Sequence, residues 1–293
     1  MTTVRSTRTA LGVVCALGLA LLYLPLLVSV LYSFNEGVDG KQTARLTGWS
    51  LGAYADAWQD DSLRTAALTG FQVALVVAAV SGLLGSVWGY SMVRHPSAQV
   101  RRVLAGLAYL LVIMPEVVLA VSLLQFAGRV GIPLGFLTLA AAHTPVTMVV
   151  VALIVRARVL TLDRRLEDAG RDLGASELRI LGDIVAPALL PAVLTGTVLA
   201  FTFSFDDLVI SAFLTTPSVN TLPVYLYSSL NYGTTPAVYA ATTAVLAVTI
   251  VALGIAGLLH RRSARRRPPE PPAPERDPGT DERQPLPVRR LSE

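Results

Sequence analysis

The sequence predicts an all-α fold, a polytopic membrane bundle with six transmembrane helices. Charged side chains make up 15% of the 293 residues and hydrophobic ones 53%, whereas about a quarter of an ordinary soluble domain is charged. The apolar residues stand in long continuous blocks, and a helix needs about 20 of them to span a bilayer. Six blocks meet this requirement: 10–34, 64–93, 103–127, 134–155, 188–214 and 237–259.

The first block is predicted to stay in the mature protein. Its apolar stretch of about 25 residues exceeds the 7–15 residues of a signal-peptide core, and no small-residue cleavage site follows Phe34.

Lys and Arg accumulate in cytoplasmic loops, and placing both termini in the cytoplasm puts 20 of the 24 basic residues inside. The net charge of +4 therefore reflects topology and contact with membrane lipids, and it does not indicate a nucleic-acid partner.

Three regions follow from this pattern. Residues 1–9 form a cytoplasmic N-terminus and residues 10–260 the transmembrane domain. Residues 261–293 are basic and rich in proline, which predicts a disordered cytoplasmic tail because such a segment buries too little apolar surface to fold. The outer loop 215–236 is predicted to hold a short amphipathic helix on the outer surface.

The sequence indicates neither a metal site nor a catalytic residue. Cys15 is a lone cysteine, and His95, His143 and His260 lack the spacing of metal ligands. We interpret His143 as a residue that hydrogen-bonds one helix to another.

The longest patterned cytoplasmic segment joins the fourth and fifth blocks. Asp163 can cap one helix, Gly174 can end it in the left-handed conformation, and Ser176 can cap a second helix. Pro187 and Pro191 are predicted to mark a turn into the fifth block. The apolar positions recur at helical spacing: Leu162, Leu166, Ala169, Gly170 and Leu173, then Leu178, Leu181, Ile184 and Val185. Such a helix-turn-helix either docks into a groove of a partner protein or rests against the membrane interface.

This segment resembles the cytoplasmic loop of ABC importer permeases. That loop has an acidic-Ala-Ala triplet, a Gly four residues after its last Ala, and then Ile and Pro ten and thirteen residues after the Gly. The matching residues are Asp168, Ala169, Gly170, Gly174, Ile184 and Pro187. Asp168 replaces the usual Glu, Gly170 the usual second Ala, and Ala186 the Leu that often precedes the Pro.

The resemblance implies that residues 161–187 transmit motion from a separate ATPase dimer, which binds ATP and Mg²⁺. A phosphate-binding P-loop contains Gly-Lys-Ser/Thr, and Lys41 is the single lysine of this chain. We therefore expect a transport subunit without its own cofactor or ATPase site. The implied partners are that ATPase dimer, a second permease subunit and an extracytoplasmic solute-binding protein.

Three carboxylates fall inside the apolar blocks: Glu116, Asp206 and Asp207. Such groups usually face a cavity or a partner. No Lys or Arg lies deep in any block, so we expect no internal salt bridge. The carboxylates would then be stabilised by a water-filled path, by a cationic substrate or by a partner subunit. Glu116 could instead bond backbone groups freed by Pro115. Adjacent residues point about 100° apart on a helix, so at most one of the two Asp residues faces a lumen, and one could cap a helix.

The segments 114–124 (MPEVVLAVSLL) and 203–228 (FSFDDLVISAFLTTPSVNTLPVYLYS) are similar to those of the second permease subunit of spermidine/putrescine importers. With the loop included, the likeness covers residues 10–260. It implies a polyamine substrate and a place in the plasma membrane of a prokaryote.

Two other classes remain open. A proton-coupled secondary transporter would use the buried acids as relay groups, but it leaves the glycine-centred loop without a role. An intramembrane enzyme would need a nucleophile or metal set, and the sequence motifs indicate neither.

Overall fold

The computed structural model describes residues 2–38, 40–43, 45–232 and 234–265. Within them every regular element is helical, apart from three isolated β-bridges. Residues up to Thr243 form one compact unit and Ala244 begins a second. The predicted disordered tail lies, from residue 266 on, outside the described residues.

The helices are α1 (Thr2–Tyr32), α2 (Gly52–Gln59), α3 (Asp61–Arg94), α4 (Ala98–Ile113), α5 (Glu116–Val130), α6 (Phe136–Thr161), α7 (Arg165–Asp172), α8 (Glu177–Ile180), a π-helical turn (Leu181–Val185), α9 (Ala186–Phe205), α10 (Val209–Leu214), α11 (Leu222–Tyr232) and α12 (Pro236–Arg265).

The all-α prediction is confirmed, and several helices can cross a membrane. Four described stretches are long and apolar enough to do so unaided: Leu11–Tyr32, Asp61–Arg94, Phe136–Thr161 and Glu177–Phe205. They fall in the first, second, fourth and fifth predicted blocks. The described apolar part of α12, Pro236–Val251, is shorter. The count of six spans and the cytoplasmic termini stay predictions.

The third block is not the continuous helix that the sequence predicts. It is split into α4 and α5, which are bent by 101° at Met114 and Pro115. A proline disfavours the helical conformation at the preceding residue, and Met114 accordingly adopts an extended ψ of 127°. Each of the two helices is only about 22–24 Å long, shorter than the roughly 30 Å hydrocarbon layer. Neither could span a bilayer alone.

The fifth block also differs from the prediction of a turn at Pro187 and Pro191. A helical run extends from Glu177 through both prolines to Phe205. Pro187 lies in the first turn of α9, directly after the π-helical turn, where the α-helical hydrogen-bond pattern is already interrupted. The run ends within the predicted span, and residues 206–208 separate α9 from α10.

Small residues bring α3, α6 and α9 together. A Cβ atom added at Gly85 would lie 2.6 Å from the Met148 carbonyl oxygen and 2.7 Å from Val151 Cβ, both in α6. One added at Gly82 would lie 2.5 Å from Thr197 Oγ1 in α9. Lipid tails are as apolar as leucine, so helices in a bilayer associate through close packing at such small residues. The three helices thus form a tightly packed centre.

The two helices that follow the breaks pack on this centre. α5 and α10 meet α3 and α6 in one apolar cluster: Val73, Val77, Ala120, Leu139, Ala140, Ala142, Ile210 and Leu214. This packing holds the first residues of α5 close to those of α10.

The outer loop 215–236 contains the predicted short helix, α11; its position at the outer surface stays a prediction. Tyr225 of α11 donates a hydrogen bond of 2.7 Å to the carboxylate of Asp60, just before α3. Burial and this bond raise the pKa of Tyr225 to about 12. Burial acts to raise the pKa of Asp60 as well, but the bonds from Tyr225 and from the backbone N–H of Leu63 hold it below its usual range.

We predict that Gly85→Ala destabilises the helix bundle by about 1–3 kcal/mol, the usual cost of overpacking a core. Gly106→Ala is the control, because an added Cβ there meets no atom within 4 Å while the helix propensity changes equally. Thermal unfolding of the detergent-purified protein compares the two variants. Equal midpoints would contradict the close contact between α3 and α6.

Candidate functional site

The structure brings the three predicted acids to one cleft. Glu116, Asp206 and Asp207 line a cleft of about 420 Å³ together with Leu199, Thr202, Phe203, Leu208 and Val209. The acids come from the two helix breaks, one before α5 and the other between α9 and α10. Residues some 90 positions apart in the chain therefore share one polar surface.

Glu116 is the first residue of α5. The backbone hydrogen bonds near Pro115 are made by main-chain groups, with the Pro115 carbonyl oxygen accepting from Val118 and Leu119. The Glu116 carboxyl group lies instead beside that of Asp207. Of the two interpretations left open by the sequence, the geometry favours the one in which Glu116 faces the cleft.

Asp206 and Asp207 have different environments. The side chain of Asp207 is only 7% exposed, and it caps α10 by accepting bonds from the backbone N–H groups of Ile210 at 3.4 Å and Ser211 at 2.8 Å. Asp206 follows α9 as its C-cap residue and is exposed in the cleft. Asp207 thus accepts hydrogen bonds from backbone N–H groups at the interruption, whereas Asp206 is exposed in the cleft.

His143 provides the internal partner that the sequence did not predict. Its Nε2 atom lies 3.2 Å from Asp207 Oδ2 and 3.3 Å from Ser211 Oγ, and its Nδ1 lies 2.9 Å from Ser204 Oγ. The sequence prediction considered only Lys and Arg as partners of the buried acids, whereas Asp207 is in contact with an imidazole of the same chain. A lone histidine in an apolar block gives no sign of which residue it contacts, although its predicted role as a link between helices agrees with these bonds.

The polar network continues from α6 to α3. Thr147 Oγ1 lies 2.7 Å from Ser81 Oγ and donates to the His143 carbonyl oxygen at 2.9 Å. Ser81, Thr147 and Ser204 are buried, and sequence reasoning missed them because Ser and Thr are common in membrane helices. Together with His143 they join α3, α6, α9 and α10.

The segment of residues 161–187 folds as two short helices with the predicted turn. Gly174 has φ +78°, and the backbone bonds Ala175 N to Gly170 O at 3.0 Å and Gly174 N to Arg171 O at 2.8 Å form a Schellman motif. Ser176 Oγ accepts from Arg179 N at 3.4 Å. The predicted capping residue Asp163 accepts from Arg165 N at 2.9 Å, at the start of α7.

The motif residues divide into buried and exposed ones. Gly170 is buried, and a Cβ added to it would lie 3.1 Å from Ile180 Cγ1 and 3.2 Å from Ile184 Cδ1. This close contact gives a physical reason for Gly in place of Ala. Asp168, Ala169 and Pro187 are exposed.

Part of the predicted apolar face of the two short helices is exposed, which leaves it accessible to a partner or to the membrane interface. Leu166, Leu173 and Leu178 are 56%, 88% and 82% exposed, while Glu167 is buried. Glu167 accepts a bond of 2.8 Å from Arg94 Nε, so the side chain that α7 buries against the bundle is an ion-paired carboxylate. The sequence shows no sign of this pair, because its members are 73 positions apart.

An exposed ion-pair cluster lies on the same segment. Arg171 contacts Glu177 at 2.6 Å and Asp168 at 2.8 Å. The hydrogen bond from Arg171 holds the pKa of the Glu177 carboxyl below its usual range.

A family model covers both the cleft and this loop. Residues 81–265 match the family described as "Binding-protein-dependent transport system inner membrane component". The chain belongs to this family. It is an ABC importer permease, a transport subunit rather than a catalytic one, and a multi-pass protein of the bacterial plasma membrane. Nothing supports the alternative of a secondary transporter.

Several curated relatives resemble the permease over most of its length. It is 33% identical over 261 residues to the putrescine transport system permease protein PotI of Escherichia coli K12, covering 87% of this chain and 92% of PotI. It is 34% identical over 242 residues to the spermidine/putrescine transport system permease protein PotC of the same strain, covering 83% and 90%.

Solved structures share the fold. A chain of a bacterial ABC transporter involved in the import of alginate aligns with a TM-score of 0.64 at 17% identity, covering 86% of the permease and 97% of that chain. A chain of the MetNI methionine ABC transporter aligns with a TM-score of 0.54 at 18% identity, covering 70% and 98%.

We predict that His143→Ala lowers the free energy of unfolding of the permease by about 1–3 kcal/mol, the usual cost of leaving a buried polar partner unsatisfied. Ser204 and Asp207 would both lose a bond. Thermal unfolding of purified protein tests this, with His95→Ala, in the connection between α3 and α4, as the control. A midpoint unchanged from that of the control would show that the His143 network does not hold the helices together.

Proposed function

We propose that the permease imports a polyamine such as putrescine or spermidine, with Glu116 and Asp206 as its main contacts. The main support is that three carboxylates line one cleft. Among the described residues, no Lys or Arg lines this cleft to neutralise them. The names of PotI and PotC point to the same substrate class.

The cleft suits a solute with separated positive charges. A carboxylate at the bilayer centre is disfavoured by a few kcal/mol unless it faces water or a partner, and a polyamine would supply compensating charge in passing. Phe203 also lines the cleft, and an aromatic face attracts ammonium groups. His143 already engages Asp207, so we assign that acid to holding the site together and the other two to the solute. Several weak contacts allow entry and release.

We infer that both termini are cytoplasmic and that there are six spans, with α4 and α5 together as the third and α12 as the sixth. The distribution of basic residues supports this orientation. It places residues 161–187 in the cytoplasm and α11 outside.

We infer that an ATPase dimer docks on residues 161–187. The residues of the family motif in this segment are Asp168, Ala169, Gly170, Gly174, Ile184 and Pro187. The exposed ones form the docking surface together with Leu166, Leu173 and Leu178, and the contact of Gly170 with Ile184 holds the two short helices together. ATP and Mg²⁺ bind to that partner, because this chain carries no P-loop. A second permease subunit completes the pathway, and an extracytoplasmic binding protein delivers the solute. Closure of the ATPases shifts the loop and switches the cleft between outward and inward access.

We predict that Glu116→Gln and Asp206→Asn each weaken polyamine uptake. Removing one charge about 4 Å from an ammonium group in a water-filled path costs roughly 1 kcal/mol, or about fivefold in apparent affinity. Uptake of labelled putrescine and putrescine-stimulated ATP hydrolysis, both measured with the assembled importer in proteoliposomes, test this.

The control is Asp56→Asn, which removes an exposed charge from α2, away from the residues that line the cleft. Equal losses in all three variants would indicate general attraction of cations rather than contact in the cleft. Uptake unchanged by both cleft variants would remove Glu116 and Asp206 from the path, and absence of polyamine uptake by the unaltered importer would contradict the proposed substrate class.

We predict that Gly174→Val abolishes ATP-driven uptake while the permease still inserts. A β-branched residue is a genuine outlier at the positive φ of Gly174, so the turn between α7 and α8 would change. Gly182→Val is the control, because Gly182 lies in the same segment without a positive φ and an added Cβ meets no atom within 4 Å. Full uptake by Gly174→Val would contradict the docking role of the turn.

A further inference from the structure

A buried ion pair attaches α7 to the end of a transmembrane helix. Arg94 is the last residue of α3, and its Nε donates to Glu167 Oε1 at 2.8 Å, with the two side chains only 13% and 6% exposed. The Tyr90 hydroxyl, one turn earlier on α3, donates to Glu167 Oε2 at 3.4 Å. The α7 backbone is thus connected to α3 through one carboxylate.

The same guanidinium also holds the end of α6. Arg94 Nη2 donates to the Leu162 carbonyl oxygen at 3.0 Å, and Leu162 is the C-cap residue of α6. Arginine presents several N–H donors in a rigid fork, which allows one side chain to bind both acceptors. The start of the cytoplasmic loop and the first turn of α7 are therefore fixed to α3 together.

The other bonds of α7 stay within the loop. Gly170 contacts Ile180 and Ile184, and Arg171 pairs with Asp168 and Glu177. In the part of the chain that the structure describes, every hydrogen bond or ion pair between α7 and α3 is made by Glu167. Glu167 is therefore the direct polar link between α7 and α3, and the bond from Arg94 to the Leu162 carbonyl adds a second link just before α7.

We propose that Arg94 and Glu167 are a positioning pair that passes the movement of α7 to α3 during transport. This rests on the proposed function, in which an ATPase moves residues 161–187. Separating the pair would leave an uncompensated buried charge, which is strongly unfavourable, whereas apolar contacts slide at little cost. The pair therefore stays closed, and α7 and α3 move as one body.

Two neighbouring acids on α7, Glu167 and Asp168, have different roles in this proposal. Asp168, the acidic residue of the family motif, has a side chain 54% exposed and faces the partner. Glu167 faces inward and holds α7 to the membrane helix. The residue before the motif is thus a coupling residue, although it makes no contact with solute or nucleotide.

The test uses the assembled importer in proteoliposomes, with labelled putrescine as the probe. The variants are Glu167→Gln and the double variant Arg94→Met with Glu167→Leu, which leaves no unpaired buried charge. The control is Asp61→Asn, which breaks the exposed pair of Asp61 and Arg64. Three quantities are measured for each: co-purification of the ATPase, ATP hydrolysis, and putrescine transported per ATP hydrolysed.

We expect both variants to retain the ATPase, because Glu167 is buried away from the docking surface, and to transport about tenfold less putrescine per ATP, within the range of coupling free energies between distant sites. The control keeps the ratio of the unaltered importer. A merely structural role would lower the amount of assembled importer and leave the ratio unchanged.

An unchanged ratio in the double variant would overturn the inference, even where Glu167→Gln fails to insert. If the unaltered importer transports no putrescine on ATP, the proposed function fails instead. The two failures are distinguished by the arm of the experiment in which they occur.

Discussion

The interruption of the helix at residues 206–208 is stable in a bilayer because Asp207 supplies the acceptors that the broken backbone requires. Unsatisfied N–H groups cost several kcal/mol each in hydrocarbon, and the carboxylate accepts from two of them at the start of α10. The carboxylate in turn needs a partner, which is His143 on α6. These bonds hold the interruption that places Asp206 and Asp207 at the cleft.

The cleft and the loop of residues 161–187 are connected by one set of contacts between helices. His143 fixes α6 to α9 and α10, glycine contacts fix α3 to α6 and α9, and Glu167 fixes α7 to α3. These contacts form a continuous connection from the loop to helices that line the cleft, which is the route that the proposed coupling uses. The broken helices supply the polar groups, and the close-packed helices supply the stiffness that a transport cycle requires.

The sequence predicted the helices well, since length and hydropathy determine membrane helices. The loop was predictable in outline, because Gly174 and Ser176 specify local backbone geometry. The two breaks were not, because continuous apolar composition hides the effect of Pro115 and of Asp207. The pairs His143 with Asp207 and Arg94 with Glu167 join residues 64 and 73 positions apart, and local patterns do not reveal such contacts.

The central claim is that an external ATPase drives this helix bundle through its cytoplasmic loop. The most direct measurement follows the accumulation of labelled putrescine in vesicles that contain either the whole importer with ATP and no ion gradient, or this permease alone with a proton gradient and no nucleotide. We expect uphill accumulation in the first vesicles and none in the second. Uphill accumulation by the permease alone would contradict the account.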